Sequence, residues 1–118
     1  MKKILIIAAG VAQLDGIRGA KKLGYHVLAS DGSPDASGLF IADEKRVIDA
    51  RDVTGNLAWA REAGVDGVVS YACDASLRTV LEVREALGLP GLDRKPVEIS
   101  LDKSLQRSVF REAGCAQP

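Results

Sequence analysis

Hydrophobic and polar positions along the chain follow two alternating rhythms. Residues 4–9, Ile-Leu-Ile-Ile-Ala-Ala, form an unbroken apolar run. A strand with no polar face must be covered on both sides, as is the central strand of a parallel sheet. Beyond Gly10, Leu14, Ile17, Ala20 and Leu23 recur at helical spacing, with Arg18, Lys21 and Lys22 between them. That stripe predicts a first helix with one face on the sheet, ended by Gly24. Residues 25–30 read as a second strand ending at Asp31, and Asp31-Gly32-Ser33-Pro34-Asp35 is turn chemistry. Leu39, Phe40, Ile41 and Ala42 predict a short helical turn. The more polar residues 45–49 predict a third strand at an edge.

The second half repeats the alternation. Thr54 is the expected N-cap of a helix carrying Leu57, Ala58, Trp59, Ala60 and Ala63, closed by Gly64. Residues 67–71 predict a fourth strand. Asp74 or Ser76 caps the next helix, whose stripe is Leu77, Val80, Leu81 and Leu87, with Gly88 at its C′ position and Pro90 beyond. Pro96 suits a short helix through Ile99. Asp102 then caps a last helix with Leu105, Val109, Phe110 and Ala113, ended by Gly114. The connections between strands are long enough for parallel crossovers and too long for hairpins. The expected fold is α/β: a three-layer, doubly wound, mostly parallel sheet of about four strands, Rossmann-like, with helices on both faces.

Composition narrows the function classes. The chain has 118 residues, which suits one domain, residues 1–118. Sixteen basic residues balance sixteen acidic ones, so no global field favours nucleic acid or an anionic membrane. Only 4% of residues are aromatic, which leaves no stacking platform for single-stranded nucleic acid. The longest apolar run is too short to span a bilayer. Met1-Lys2-Lys3 before that run faintly resembles a signal peptide, but the run is short and leads straight into an amphipathic pattern. Cys73 and Cys115 lack metal-ligand spacing and read as reduced thiols. A cytoplasmic location is expected.

The turn after the first strand is the first candidate site. Gly10 follows a buried strand, and Asp31 ends the next strand about 20 residues on, where a dinucleotide fingerprint places its ribose-binding acid. The glycine pattern fails: Ala12 and Asp15 stand at the second and third positions. A methyl there obstructs close approach to pyrophosphate, and a carboxylate in the first helical turn repels phosphate. Gln13 stands at the mouth of this turn with an amide that donates and accepts; on its own it reads as a solvated helix-start residue. His26 reads as structural, Cys73 as a small buried thiol and Trp59 as a cover for the sheet.

Several pieces then point one way: Gly10…Gln13-Leu14…Gly16, Ala20-Lys21-Lys22-Leu23-Gly24-Tyr25, Asp31-Gly32-Ser33-Pro34, Ala42-Asp43, Gly64-Val65-Asp66-Gly67-Val68, Leu87-Gly88-Leu89-Pro90-Gly91, and Asp102-Lys103…Arg107…Arg111-Glu112-Ala113-Gly114…Pro118. In order and spacing they resemble the N-terminal (preATP-grasp) domain of ATP-grasp ligases. The nearest branch is carbamoyl-phosphate-synthetase-like, with biotin carboxylase and the purine-pathway ribonucleotide carboxylases as relatives. The resemblance covers essentially the whole chain.

The resemblance implies an intact enzyme that activates a carboxylate or bicarbonate as an acyl phosphate and joins it to an amine-type acceptor, using ATP and Mg. It implies that Lys103 reaches the ATP, that Asp74 lies close to the substrate, and that Gly10 and Gln13 face the acceptor. Asp15 replaces a glycine common in the purine-pathway relatives, which counts against their phosphate-bearing substrate. Asp31 reads either as a contact to a substrate hydroxyl or as a turn-forming aspartate before Gly32. Without the resemblance, Lys103 reads as an exposed lysine offset by Asp102. The chain is expected to be the front part of a larger ligase, inactive alone and without a tightly bound nucleotide. Its expected partners are a small-molecule substrate and a missing C-terminal ATP-grasp domain or subunit. Self-association as a homodimer is expected through apolar surface left by the missing half. The competing readings are a free-standing nucleotide- or dinucleotide-binding regulatory module and a non-catalytic subunit of a split enzyme.

Overall fold

A computed structural model describes residues 2–71 and 73–90. The strands are β1 (Lys3–Ile7), β2 (His26–Asp31), β3 (Glu44–Val47) and β4 (Gly67–Val69), and the helices are α1 (Leu14–Lys22), α2 (Val53–Ala63) and α3 (Asp74–Leu87). Short 3-10 turns occupy Val11–Gln13 and Ser37–Phe40. The strands lie in the order β3-β2-β1-β4, and every pairing is parallel. From β1 the chain steps outward to β2 and β3, then crosses to the far side of β1 to form β4. The strand order therefore reverses between β1 and β4, the position at which open α/β sheets leave a crevice at their carboxyl ends.

The apolar run at the start produces both layers. Side chains alternate across a strand, so Leu5 and Ile7 face one side while Ile6 faces the other. Leu5 and Ile7 pack with Leu28, Val68, Trp59, Ala60 and Val83 under α2 and α3. Ile6 packs with Val27, Ala29, Ile17, Ala20 and Leu39 under α1 and the second 3-10 turn. Leu5, Ile6, Ile7, Ile17 and Leu28 are fully buried, each stabilising the fold by about 1.5–3 kcal/mol of transfer free energy. The three-layer parallel α/β fold expected from the sequence is the one observed.

Local details depart from the sequence reading. β1 stops at Ile7 because Ala8 takes φ 76°, so the end of the apolar run is turn rather than strand. Leu23 does not join the α1 stripe: the helix ends at Lys22, Gly24 turns left-handed at φ 90°, and Leu23 is left 79% exposed. The short helical turn sits at Ser37–Phe40, earlier than residues 39–42. The third strand is at an edge, with all four residues exposed, but it starts at Glu44 and ends at Val47. Asp52, not Thr54, caps α2, its Oδ1 accepting the Gly55 N–H at 2.9 Å. The N-cap of α3 is Cys73, with no side-chain cap bond; Asp74 is already helical, and the Ser76 hydroxyl donates back to the Cys73 carbonyl at 2.8 Å. β4 ends at Val69, two positions before Tyr71.

Candidate functional site

The carboxyl ends of β1, β2 and β4 gather three of the residues singled out in the sequence. The backbone there is strongly held. The Ala8 N–H donates to the Ser30 carbonyl at 2.9 Å, the Ala9 N–H to Asp31 Oδ2 at 2.8 Å, and the Gly10 N–H to Gln13 Oε1 at 2.8 Å. The Ala9 carbonyl accepts from the Gly38 N–H at 2.6 Å, and a Cβ on Gly38 would lie 2.5 Å from that same oxygen. Glycine at 38 is thus required by close approach. At Gly10, φ is −79°, so the left-handed residue of the turn is Ala8. What Gly10 supplies is room: a Cβ there would meet Gln13 Oε1 at 3.2 Å.

Gln13 is not a solvated helix-start residue. It is 6% exposed, and its Nε2 donates to the Tyr71 carbonyl at 2.7 Å while its Oε1 holds Gly10. One side chain thus spans the crevice between the β1 turn and the segment after β4. Tyr71 reciprocates by laying its ring against α1 at Gly16, where an added Cβ would come within 2.4–2.7 Å of three ring carbons. Asp31 likewise serves the fold, accepting from Ala9 through Oδ2 and from the Ser33 N–H through Oδ1 at 2.9 Å. Gly10, Gln13 and Asp31 are therefore brought together, with their polar groups engaged in holding the turn. Three successive N–H groups, at residues 8, 9 and 10, are bonded within the protein, so none of these three is free for a pyrophosphate. That adds a structural reason to the failed glycine pattern.

Asp74 lies elsewhere. With Arg51, Val53, Ala75, Arg78 and Thr79 it lines a hollow of about 300 Å³ between the start of α3 and the loop before α2. Lys103 lies outside the described residues, as does Cys115. Cys73 is half-buried rather than fully buried, and Trp59 is core at 3% exposure with the Arg46 guanidinium 5.1 Å above its ring. His26 Nε2 meets Glu44 Oε2 at 2.7 Å on the exposed β3 edge, a surface contact consistent with a structural role. Among the described residues no group of three or more His, Cys, Asp and Glu could hold a metal ion, and no helix is long and apolar enough to cross a membrane.

Two buried polar links escaped the sequence reading. Asn56, fully buried, accepts from the Ser30 hydroxyl at 2.7 Å and donates to the Asp49 and Asp52 carbonyls at 3.1 and 2.9 Å. Thr79, 1% exposed, donates to the Ala50 carbonyl at 2.5 Å. Asn56 carries one legible signal: it stands three and four positions before Trp59 and Ala60, so a polar residue occupies the apolar stripe of α2. Thr79 carries none.

No protein-family model and no curated protein sequence matches the chain. Solved structures do. Phosphoribosylglycinamide synthetase from Anaerococcus prevotii is similar over 94% of this chain and 28% of its own, with 25% identity and a TM-score of 0.82. The fold is that of the N-terminal domain of ATP-grasp ligases. N5-carboxyaminoimidazole ribonucleotide synthetase from Thermotoga maritima is similar over 97% of the chain and 31% of its own, at 24% identity and a TM-score of 0.80. L-amino acid ligase from Bacillus licheniformis matches over 100% of the chain and 32% of its own, at 21% identity and a TM-score of 0.80. The chain thus spans about a third or less of each of these ATP-grasp structures.

Proposed function

We propose that this chain is the substrate-side N-terminal domain of an ATP-dependent ligase, which activates a carboxylate or bicarbonate as an acyl phosphate and joins it to an amine. The observation that carries the reading is the likeness of nearly the whole chain to the front of enzymes named as synthetases and a ligase. The site geometry supports it from another direction. A dinucleotide-binding module needs free N–H groups where β1 turns into α1, and here those of Ala9 and Gly10 are taken by Asp31 and Gln13. The rigid turn suits the wall of a site that another domain completes.

Among the described residues no group of acidic, His or Cys side chains could hold a metal ion, and the N–H groups of Ala9 and Gly10 are taken within the protein, so no step is derived through ATP or Mg. In this proposal ATP and Mg belong to a further domain or subunit, and Lys103 reaches toward the ATP. Asp74 stands on the substrate side. Gln13, Gly10 and Asp31 shape a separate wall at the β1 turn, with Gln13 and Asp31 acting chiefly by holding the turn.

The deciding experiment expresses the whole reading frame that contains these residues and measures ADP release with mixed carboxylic acids and amines. Hydroxylamine is added to trap an acyl phosphate. ADP release that requires an acid, together with a trapped hydroxamate, is the expected result. A protein that releases no ADP under any pairing, or a chain that binds NAD at micromolar concentration, overturns the reading. In the active enzyme, Lys103→Ala is expected to raise the apparent KM for ATP while leaving folding nearly unchanged; an unaltered ATP dependence removes that residue from the site.

A further inference from the structure

The hollow beside Asp74 has walls held by buried hydrogen bonds and charges with no ion-pair partner among the described residues. Arg51 stands on the loop before α2, and Arg78 and Asp74 stand on the first turns of α3. The loop is tied from three directions. Asp49 Oδ1 accepts the Arg51 N–H at 2.8 Å, the Asp49 carbonyl accepts from buried Asn56, and the Ala50 carbonyl accepts from Thr79. Thr79 is itself part of the hollow's lining and is 1% exposed. It therefore locks the wall bearing Arg51 to the helix bearing Arg78. Among the described residues, none of the side chains of Arg51, Arg78 and Asp74 has an ion-pair partner, although other surface charges such as Arg46 with Glu62 do.

The charges are two guanidiniums and one carboxylate around a space of about 300 Å³, the lower end of the range for small-molecule sites, roughly 300–1,000 Å³. A guanidinium offers a planar fork that matches a carboxylate. A carboxylate accepts from an ammonium. The complement of this arrangement is a molecule with two carboxylates and one ammonium. We infer that the hollow lined by Arg51, Arg78 and Asp74 binds a small amino dicarboxylic acid, its carboxylates taken by the two arginines and its ammonium by Asp74. The inference rests on the proposed ligase role only for the use made of that molecule, as the acid or the amine to be joined. The binding itself is a property of this chain.

The test is an NMR titration of the nitrogen-15-labelled chain, without ATP, using L-aspartate, L-glutamate, succinate and inorganic phosphate in turn. L-aspartate or L-glutamate is expected to shift amides around residues 51–53 and 74–79 with saturable, millimolar or tighter affinity. Arg51→Ala and Arg78→Ala are each expected to weaken binding about tenfold or more, as loss of a charge-assisted fork should. Asp74→Asn is expected to reduce the affinity for the amino diacid to that for succinate. Phosphate binding as well as either amino acid would overturn the assignment in favour of an unselective anion patch. No shift with any probe would also overturn it, and is what an Asp74–Arg78 pair closing in solution at its i, i+4 spacing would give. Silence in this titration, with ADP release intact in the whole enzyme, removes the hollow and keeps the ligase. Saturable binding without any ATP-dependent activity does the reverse.

Discussion

Two regions at the carboxyl edge of the sheet make opposite use of their polar groups. At the β1 turn, the Gln13 amide, the Asp31 carboxylate and the N–H groups of Ala8, Ala9 and Gly10 are all bonded within the protein. At the start of α3, Arg51, Arg78 and Asp74 line a hollow with no ion-pair partner among the described residues. The first region has the residue types of a ligand site and the wiring of a scaffold. The second has ordinary surface residues, yet the backbone that carries Arg51 is held by the buried Asn56 and Thr79. Proximity to a strand end does not make a polar residue a ligand contact. What matters is whether its hydrogen-bonding capacity is already taken up.

The contrast can be broken by substitution. The largest loss is expected for Asn56→Ala. It removes three hydrogen bonds at a fully buried position and leaves the buried Ser30 hydroxyl unpaired, while the Asp49 carbonyl keeps only the Asp52 N–H. The expected destabilisation is about 3–4 kcal/mol in urea unfolding. Gln13→Ala follows at about 2–3 kcal/mol, because the Gly10 N–H and the Tyr71 carbonyl both lose their partner. If Gln13→Ala left stability unchanged and instead abolished substrate saturation in the whole enzyme, the turn would be a ligand site and the contrast would fail. Gly16→Ala is expected to cost about 1 kcal/mol net, since the new methyl displaces the Tyr71 ring while helix propensity improves. Gly19→Ala, in the same helix with nothing within 4 Å of its added Cβ, is expected to stabilise by about 0.5–1 kcal/mol. Opposite signs from the two glycines would show that the Tyr71 ring, and not α1 itself, sets the demand at position 16.

The fold was legible because its signals are local. The run at residues 4–9 announces a strand covered on both faces, and the stripe around Trp59 announces a helix. The order of the motifs pointed to ATP-grasp ligases even at the 25% identity of one matched structure. Caps were misplaced by a residue or two because Asp52 and Thr54 are both competent oxygens near the same helix start, and only backbone geometry chose Asp52. Leu23 fits the α1 stripe in sequence, yet lies beyond the last helical turn, where Gly24 redirects the chain. The role of Gln13 could not be read, since its second partner, Tyr71, is 58 residues away and adjacent only because β4 pairs with β1. Thr79 and Ala50, 29 residues apart, meet for a similar reason, through the packing of α3 beside the loop before α2. Local chemistry named Asp74 as a candidate; tertiary structure supplied the arginines around it.

The smallest expected effect on stability sharpens the contrast most. Arg51→Ala, Arg78→Ala and Asp74→Asn alter exposed side chains that carry no ion pair among the described residues. Each is therefore expected to shift unfolding free energy by no more than about 0.5 kcal/mol. Thr79→Val makes the complementary change. It keeps the three charges and removes only the bond to the Ala50 carbonyl, leaving that oxygen short of a partner beside a buried methyl. An unpaired buried carbonyl costs about 1–3 kcal/mol, so Thr79→Val is expected to destabilise measurably where the charge variants do not. If the hollow depends on a fixed separation between Arg51 and Arg78, Thr79→Val should also weaken amino-diacid binding at temperatures well below its unfolding midpoint. Binding untouched by Thr79→Val, measured on the folded variant, would mean that the arginines find the ligand by their own flexibility and that the locked wall contributes stability alone.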